Sequence, residues 1–568
     1  MLKSRVFLTA AGAALALVLA GCNNPTGNNN GIVECTAHEW DWVLIPHSPL
    51  RDSHEAQTCR HCGAVAETRA VTATPNFAWY GDGSAANFSI ATPLSMFALA
   101  HIVNGTAEEH GGPAQFDFYG RTITLASDIN LSDQPWTPIG TITQAIPWTV
   151  VDGFSGTFDG AGRAITALYV DLDRHGIGLF GAVNAEGGIK NIGVQGSVSG
   201  VDLTGGIVGW NFGIVENVRF SGNVSGGTGT GGIVGGNFGT VSGSHNAGNV
   251  SGTELTGGVA GLNQQQGTIT SSFNTGIVYG NNSVGGVVGN NQGGGTVSGS
   301  YNTGSVTATG DDVGGVVGSN MHSTDTVFGS HNTGNVSGNI RVGGVIGNNS
   351  SGTVSNSFNT GNISGFHSVG GVAGQIGVSL PHGGIVSNSY NTGNISADFS
   401  VGGVVGSNRG VLSYSYNTGV VIAHGGPFAA DESAGVAGGN VFDGRMSNNV
   451  SMGSHVTGSG ANRLVGRSTN QELENNRARS DMLLVLPHQT VTATDGEHDN
   501  PNGADVIPGV TPTSEVFAGW DPAIWNIPGG ILTVGGPLPT LRNVAWEQNP
   551  VLSPVEESQA SLKNCDSF

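Results

Sequence analysis

The feature that most constrains this chain is an internal repeat built around a pair of glycines. The pattern Gly-Gly-aliphatic-aliphatic-Gly returns about ten times, with a period of 26 to 32 residues. A period of this length indicates a solenoid, a propeller or a linear array. Copies begin at Gly205, Gly231, Gly257, Gly285, Gly314, Gly343, Gly370 and Gly402, and degenerate copies lie at 178–181 and 434–438.

A second block, Ser-(ring)-Asn-(Thr or Ala)-Gly, recurs within each copy, where the ring residue is His, Phe or Tyr. Short β-branched pieces punctuated by Gly and Asn favour strands and bends over helices. A propeller blade needs about 40 residues for its four strands, which is more than one copy supplies. We therefore predict an all-β fold, a parallel β-helix (β-solenoid) of about ten rungs with capping elements at both ends. One rung is one turn of the solenoid.

Stacking of the rungs would place like residues above one another at about 4.8 Å. The asparagines of the second block are then predicted to bond along the axis as a structural ladder. Its members are Asn246, Asn274, Asn302, Asn332, Asn359, Asn391 and Asn417. The ring residues form a neighbouring column of His245, Phe273, Tyr301, His331, Phe358, Tyr390 and Tyr416. Mixed ring types at one position indicate stacking, because catalysis would demand a single residue type.

Composition agrees with this fold and excludes one class of partner. Glycine supplies 97 of 568 residues, well above the usual share of about 7%. Nineteen basic residues against forty acidic ones give a net charge of −21. Lysine occurs only at Lys3, Lys190 and Lys563, so the chain has no polybasic groove, and we expect no nucleic-acid partner.

The first residues have the pattern of a secretory signal. Lys3 and Arg5 precede an apolar run from Val6 to Leu19 that is too short to span a bilayer comfortably. The ending Leu-Ala-Gly-Cys resembles a bacterial lipobox, which implies that Cys22 is lipidated and becomes the mature N-terminus. An unlipidated signal with a chance cysteine is the alternative. We expect a lipid-anchored protein in the outer membrane or on the cell surface.

Two short cysteine and histidine knuckles follow. Cys35-x2-His38 and Cys59-x2-Cys62 offer four ligands with a spacing that suits tetrahedral zinc. The segment is similar to the zinc-ribbon-like modules of many bacterial surface proteins, which implies a structural zinc as the one cofactor. A disulfide is the competing interpretation, because the expected compartment is oxidising.

The units GGVVGNN and GTVSGSYNTGSV resemble the GLUG motif, and the resemblance covers roughly residues 176 to 455. Some GLUG-bearing proteins are zinc metallopeptidases that cleave immunoglobulin A, an activity that needs H-E-x-x-H on a helix. Neither His38-Glu39 nor His54-Glu55 has a histidine three places after the glutamate. From this we expect no peptidase and, more broadly, no enzymatic activity.

The ends of the solenoid carry their own signals. Thr92 as N-cap and Pro93 at the first position predict a helix that ends at Asn104. The segment 471–486 is predicted to be a short helix and 490–513 a loop. The segment 517–543 is expected to close the open end of the solenoid with Trp520, Trp525 and Leu541 as plug residues.

These observations divide the chain into six predicted parts. They are a signal peptide with lipobox (1–22), a flexible tether (23–33), the zinc-ribbon-like module (34–71), an N-terminal cap and lead-in (72–175), the GLUG-repeat solenoid (176–470) and a C-terminal cap and tail (471–568).

The leading functional hypothesis is a stalk or adhesin-like surface that binds a protein or glycan of a host or neighbouring cell. Two alternatives are a carbohydrate-active enzyme on the β-helix, with Asp311 and Asp312 as the closest acidic pair, and a metal-binding surface lipoprotein. If Asp311 and Asp312 are not catalytic, we interpret the pair as a solvated bend.

Overall fold

The structure, a computed structural model, describes the strands at 40–45, 54–59 and 65–70 and residues 75–555, except 143–149, 378–382, 426–431, 470–471, 488, 493–496, 498–499 and 545. The chain divides into two compact units, Met1–Ala73 and Thr74–Phe568.

The described part of the first unit is a three-stranded antiparallel sheet. Its strands are Trp40–Ile45, His54–Cys59 and Val65–Ala70. Cys59 ends the second strand, but its side chain lies outside the described residues, as do Cys22, Cys35, His38 and Cys62. The lipid and zinc assignments therefore remain predictions.

The second unit is a parallel β-solenoid, which confirms the predicted fold class. A typical rung contributes Glu254–Gly257 to a first sheet, Ala260–Gln264 to a second sheet, and Thr268–Thr270, Phe273–Asn274 and Val278–Gly280 to a third. Each strand pairs in parallel with its counterpart one repeat later. Since parallel strands need a long crossover, the rest of each rung serves as that crossover.

The first sheet has ten strands: Thr204–Gly205, Thr230–Gly231, Glu254–Gly257, Asn282–Gly285, Val313–Gly314, Ile340–Gly343, His367–Gly370, Phe399–Gly402, Glu432–Ala434 and Gly460–Asn462. The second has eleven: Phe180–Val183, Val208–Asn211, Val234–Asn237, Ala260–Gln264, Val288–Gln292, Val317–Asn320, Ile346–Asn349, Ala373–Ile376, Val405–Asn408, Ala437–Asn440 and Val465–Ser468.

The third sheet begins with Asn87–Ile90, Thr122–Leu125, Ile129–Asn130, Thr157–Asp159, Ala164–Asp171, Gly188–Ser199 and Ile214–Ser225. Three columns of short strands follow. The first column holds Thr240–Ser242, Thr268–Thr270, Thr296–Ser298, Thr326–Phe328, Thr353–Ser355, Ile385–Ser387, Val411–Ser413, Arg445–Ser447 and Leu473–Glu474. The second holds His245–Asn246, Phe273–Asn274, Tyr301–Asn302, His331–Asn332, Phe358–Asn359, Tyr390–Asn391, Tyr416–Asn417, Val450–Ser451, Arg477–Arg479 and Ala504–Val506. The third holds Asn249–Ser251, Val278–Gly280, Val306–Ala308, Val336–Ser337, Ile363–Ser364, Ile395–Ala397, Val421–Ala423, His455–Thr457, Leu483–Leu486 and Gln489–Thr492.

Aliphatic columns fill the interior of the solenoid. The two aliphatic positions of each glycine block and the central residue of each Thr-Val-Ser strand are buried in one apolar cluster, as at Val287, Val288 and Val297. A second cluster contains the valines that precede the glycine pairs, such as Val313. Burial of each such side chain contributes about 1.5–3 kcal/mol, so both clusters stabilise the stacking of the rungs.

The glycine pair and the Ser-ring-Asn block belong to one packing arrangement. A Cβ on Gly315, the second glycine of its pair, would overlap the side-chain amide of Asn332 and the carbonyl oxygen of Gly344. The same overlap with the ladder asparagine occurs at Gly258, Gly286 and Gly344. The second glycine is therefore needed because an asparagine of the ladder lies against its backbone.

The N-terminal helix has the predicted caps. Helix α1, Pro93–Val103, has Thr92 as N-cap, with the threonine side chain accepting from the backbone N–H of Ser95, and Asn104 as C-cap. A 3-10 helix, Ala107–His110, follows. Parallel pairing already begins with Asn87–Ile90 against Thr122–Leu125, upstream of the repeats.

The C-terminal end differs from the sequence-based prediction. Residues 471–486 contain the strands Leu473–Glu474, Arg477–Arg479 and Leu483–Leu486 in place of a helix, because they pair with the preceding rung. The predicted loop contains Ala504–Val506 and part of Gln489–Thr492, which pairs antiparallel with Leu483–Leu486.

Two buried arginines close this end. The fully buried guanidinium of Arg463 donates to Asp505 Oδ1 at 2.6 Å. That of Arg479 donates to both carboxylate oxygens of Asp481, at 2.7 and 2.9 Å, and to the carbonyl oxygen of Ser553 at 2.8 Å. A buried charge needs such partners.

The remaining described elements are small: helix α2, Thr513–Val516, and two antiparallel pairs, Thr141–Ile142 with Val150–Asp152 and Trp525–Asn526 with Thr540–Leu541. In the part of the chain that the structure describes, no helix has the length and apolar character needed to cross a bilayer.

Candidate binding face

The asparagine ladder holds the second column of the third sheet in register. Each ladder side chain is fully buried and donates its Nδ2 to the Oδ1 of the next asparagine at 2.8 Å, from Asn246 through to Asn417. Asn332 also donates to the carbonyl oxygen of Gly334 at 2.7 Å and accepts from its N–H at 3.2 Å. Every ladder residue thus has its polar atoms paired, which makes its burial tolerable.

A second asparagine ladder was missed in the sequence analysis. Asn211, Asn237, Asn263, Asn291, Asn320 and Asn349 form an equivalent column in the second sheet, with side-chain bonds of 2.7–3.2 Å. It stops where Ile376 replaces asparagine, and resumes between Asn408 and Asn440. The signal for it was the asparagine two residues after the third glycine of most copies.

The ring column stands on the outer face of the same strands. Consecutive rings from His245 to Tyr416 stack with centroids 4.1–4.9 Å apart and interplanar angles of 3–20°. Because each ring lies against its neighbours above and below, the column presents ring edges to its surroundings.

The C-terminal segment 507–555, hereafter the strap, covers one half of the ring column. Trp525 contacts Tyr416 and Tyr390 with centroids 5.9 and 6.3 Å apart, and Trp520 contacts Tyr416 at 6.2 Å. The hydroxyl of Tyr416 donates to the carbonyl oxygen of Pro539 at 2.6 Å. These residues were expected to plug the open end of the solenoid. They are instead buried against its side.

The other half of the column is covered less: the Trp546 ring of the strap contacts Tyr301, and no described ring of the strap contacts His245 or Phe273. His245, Phe273 and Tyr301 remain half-buried, whereas His331, Phe358, Tyr390 and Tyr416 are buried. Trp546 marks the boundary, because its ring contacts both Tyr301 and His331 and is itself 41% exposed. The three half-buried rings are hereafter the open rings.

Burial in the column shifts the protonation of its histidines. Desolvation lowers the pKa of His331 to about 4, and desolvation together with the charge of Arg219 lowers that of His245 to about 4. His331 is 3% exposed, and its Nε2 has no hydrogen-bond partner among the described residues. The neutral imidazole therefore acts as an aromatic spacer.

We predict a loss of stability in acid that depends on His331. Its pKa is about 4 when folded and about 6.5 when unfolded, so only the unfolded state binds a proton in between. The contribution of the neutral His331 to the free energy of unfolding is present above pH 6.5 and is lost as the pH falls toward 4. The free energy of unfolding, measured by denaturant titration, falls between pH 7 and 4.5, and His331→Phe should make this fall smaller by roughly 2 kcal/mol.

The control is His322→Phe, at an exposed histidine of the same rung. An unchanged pH dependence in His331→Phe would contradict this assignment.

The acidic pair is placed differently from the sequence-based interpretation. The Arg341 guanidinium contacts both carboxylates, with its Nη2 3.4 Å from Asp311 Oδ2 and its Nε bonded to Asp312 Oδ1. Burial raises the pKa of Asp312 against the opposing effect of Arg341. The interpretation of a solvated bend is wrong for Asp312, whose side chain is only 17% exposed. The three residues form an ion-pair network that links two rungs.

No group of three or more His, Cys, Asp or Glu side chains able to hold a metal ion occurs in the described ranges. This leaves the predicted zinc ligands untested, because they lie outside those ranges or have no described side chain.

Comparison with known proteins yields two structural matches. No family profile matches the chain, and no curated protein is similar to it. One match is the crystal structure of a candidate immunoglobulin A1 protease from Bacteroides ovatus, 13% identical, covering 80% of this chain and 92% of that one, with a TM-score of 0.28. The other is an IgA1 protease, also 13% identical, covering 90% of this chain but only 30% of that one, with a TM-score of 0.26.

These matches correct one expectation. Both are named as proteases, so the prediction that the chain has no enzymatic activity is withdrawn. At 13% identity and TM-scores below 0.3, they assign no catalytic residue or substrate to this chain.

Proposed function

We propose that this protein is a lipid-anchored, extracytoplasmic β-solenoid that presents the open rings as a binding surface for a protein or glycan of another cell. The observation that carries the proposal is that the ring column is only partly covered. Four of its seven rings are buried, and three stay half-buried on an outer face of the sheet. Apolar surface that stays partly accessible beside a covered part of the same column is typical of an interaction site.

The surroundings of the open rings support this role. Thr275 is exposed and Thr303 half-exposed beside them, so hydroxyl groups flank the apolar column. The asparagine ladder beneath fixes the spacing of the rings, and a pre-ordered surface pays less conformational entropy on binding. The resemblance to the GLUG motif and the resemblance of residues 19–22 to a lipobox support a location outside the cytoplasm.

Cys22→Ser should abolish lipid attachment. A thioether-linked lipid on Cys22 is the proposed anchor, and a serine at this position has no thiol to carry it. In cells fed a labelled fatty acid, the unmodified chain should carry the label and the Cys22→Ser chain should not. Equal labelling of the two chains would contradict lipidation at Cys22.

Binding and exposure are tested together with two measurements. Protease added to intact cells should degrade the protein, and the purified chain should bind members of an array of matrix proteins, mucins and glycans. Protection of the chain on intact cells, combined with no retention on the array, would contradict the proposal.

A further inference from the structure

Phe273 and Tyr301 offer ring edges and no free faces. The centroids of His245 and Phe273 are 4.1 Å apart, and those of Phe273 and Tyr301 are 4.6 Å apart, with the ring planes within 20° of parallel. Arg219 occupies the equivalent strand position one rung before His245. A sugar ring stacks on an aromatic face, and here the faces of Phe273 and Tyr301 are taken by other rings.

The covered half of the column shows which chemistry its edges accept. The indoles of Trp520 and Trp525 lie against the edges of Tyr416 and Tyr390 at interplanar angles of 38–50°. The Trp546 ring packs at 45° on Tyr301, the open ring next to the covered half. Tilted contacts of this kind match the positive edge of one ring with the negative face of another.

Hydrogen bonding along the column points to the same partner. The hydroxyl of Tyr416 donates to a strap carbonyl, Pro539 O, at 2.6 Å, and that of Tyr390 to the amide oxygen of Gln548 at 3.1 Å. The hydroxyl of Tyr301 makes no hydrogen bond to any described residue. The third tyrosine of the column therefore lacks the carbonyl partner that the other two have.

We propose that the open rings bind a peptide segment of another protein that carries tryptophan or phenylalanine, continuing the interface that the strap forms with the rest of the column. The aromatic side chain of the segment tilts against Phe273, beside Trp546, which already contacts Tyr301. A carbonyl of the segment accepts a hydrogen bond from the Tyr301 hydroxyl. This inference rests on the proposed function and names its ligand class.

The test uses a fluorescein-labelled peptide with the sequence of strap residues 517–527, FAGWDPAIWNI, titrated with the full chain by fluorescence polarisation. A peptide with both tryptophans replaced by alanine, and labelled chitohexaose and cellohexaose, are the comparison probes. We expect saturable binding of the tryptophan peptide, with affinity at least about tenfold weaker for the alanine peptide.

Variants locate the site. Phe273→Ser should lower the affinity for the tryptophan peptide about tenfold or more, while Phe273→Tyr, which keeps the ring, should retain binding. Phe328→Ser is the matched control, because Phe328 is 46% exposed on the same sheet but outside the ring column. Circular dichroism and thermal midpoints verify that each variant is folded.

Three results would overturn the inference: equal affinity for the two peptides, an equal loss of affinity for the tryptophan peptide in Phe273→Ser and Phe328→Ser, or no peptide binding. If a hexaose instead binds and Phe273→Ser abolishes that binding, the peptide inference fails and the proposed binding surface stands. Failure of the proposed function would be detected by different measurements: protection of the chain from protease on intact cells, together with no retention on the array.

Discussion

Gly315→Ala should destabilise the solenoid by about 3 kcal/mol or more, although it adds only one methyl group. The added Cβ would overlap the carbonyl oxygen of Gly344 and the amide of Asn332. Neither can move away, since Gly344 belongs to the next rung and Asn332 is bonded to Asn302 and Asn359 within the ladder. Guanidinium unfolding followed by circular dichroism measures the effect.

Gly193→Ala is the matched control for this prediction. Gly193 lies in the strand Gly188–Ser199 of the third sheet, and a Cβ there would meet no atom within 4 Å. Its substitution should change stability by no more than about 0.5 kcal/mol. Similar unfolding midpoints for the two variants would show that the close approach of rungs at the glycine pair is absent.

Asn332→Asp should cost about 3–5 kcal/mol at pH 7 with almost no change in shape. Asn332 is fully buried, and its Nδ2 donates to Asn359 Oδ1 and to the carbonyl oxygen of Gly334. A carboxylate has no proton to donate there, so it would place negative charge against two acceptor oxygens.

The pH dependence of Asn332→Asp separates charge from shape. Burial and the facing acceptors would raise the pKa of the introduced carboxyl above its ordinary value of about 3.9. The cost relative to the unmodified chain is therefore full at high pH and shrinks as the pH falls through the raised pKa. Asn335→Asp, at an exposed asparagine three residues later, should show little cost at any pH. A pH-independent cost at position 332 would contradict the ladder.

The repeating part of the fold could be predicted because its cause is local and recurs. Asn274 and Asn302 follow a ring residue at the same offset in each copy, so any stacked arrangement must superpose them. The end of the solenoid could not be predicted in the same way. Residues 477–479 take part in the second column although their sequence, Arg-Ala-Arg, does not match its consensus, because pairing with Val450–Ser451 overrides local preference.

The binding face was only partly predictable. Tyr301 and Tyr390 lie in identical Ser-Tyr-Asn-Thr-Gly blocks, yet one is half-buried and the other is buried under the strap. That difference arises from a contact with Gln548, 158 residues away, which periodicity cannot reveal. The same reason explains why Trp520 and Trp525 were expected at the end of the solenoid and lie on its side.

The central claim, that successive rungs stack in register, is tested most directly by spin-label distances along the column of threonines that follow the ladder asparagines. These are Thr275, Thr303, Thr333, Thr360, Thr392 and Thr418. Labels introduced through an unnatural amino acid leave the native cysteines unmodified. With one label at Thr418, labels at Thr303 and Thr275 are four and five rungs away, so in-register stacking predicts backbone separations of about 19 and 24 Å. Separations that increase by one strand spacing per rung would support the account. A distance that does not grow with the number of intervening rungs, as in a radially closed or hairpin arrangement, would contradict it.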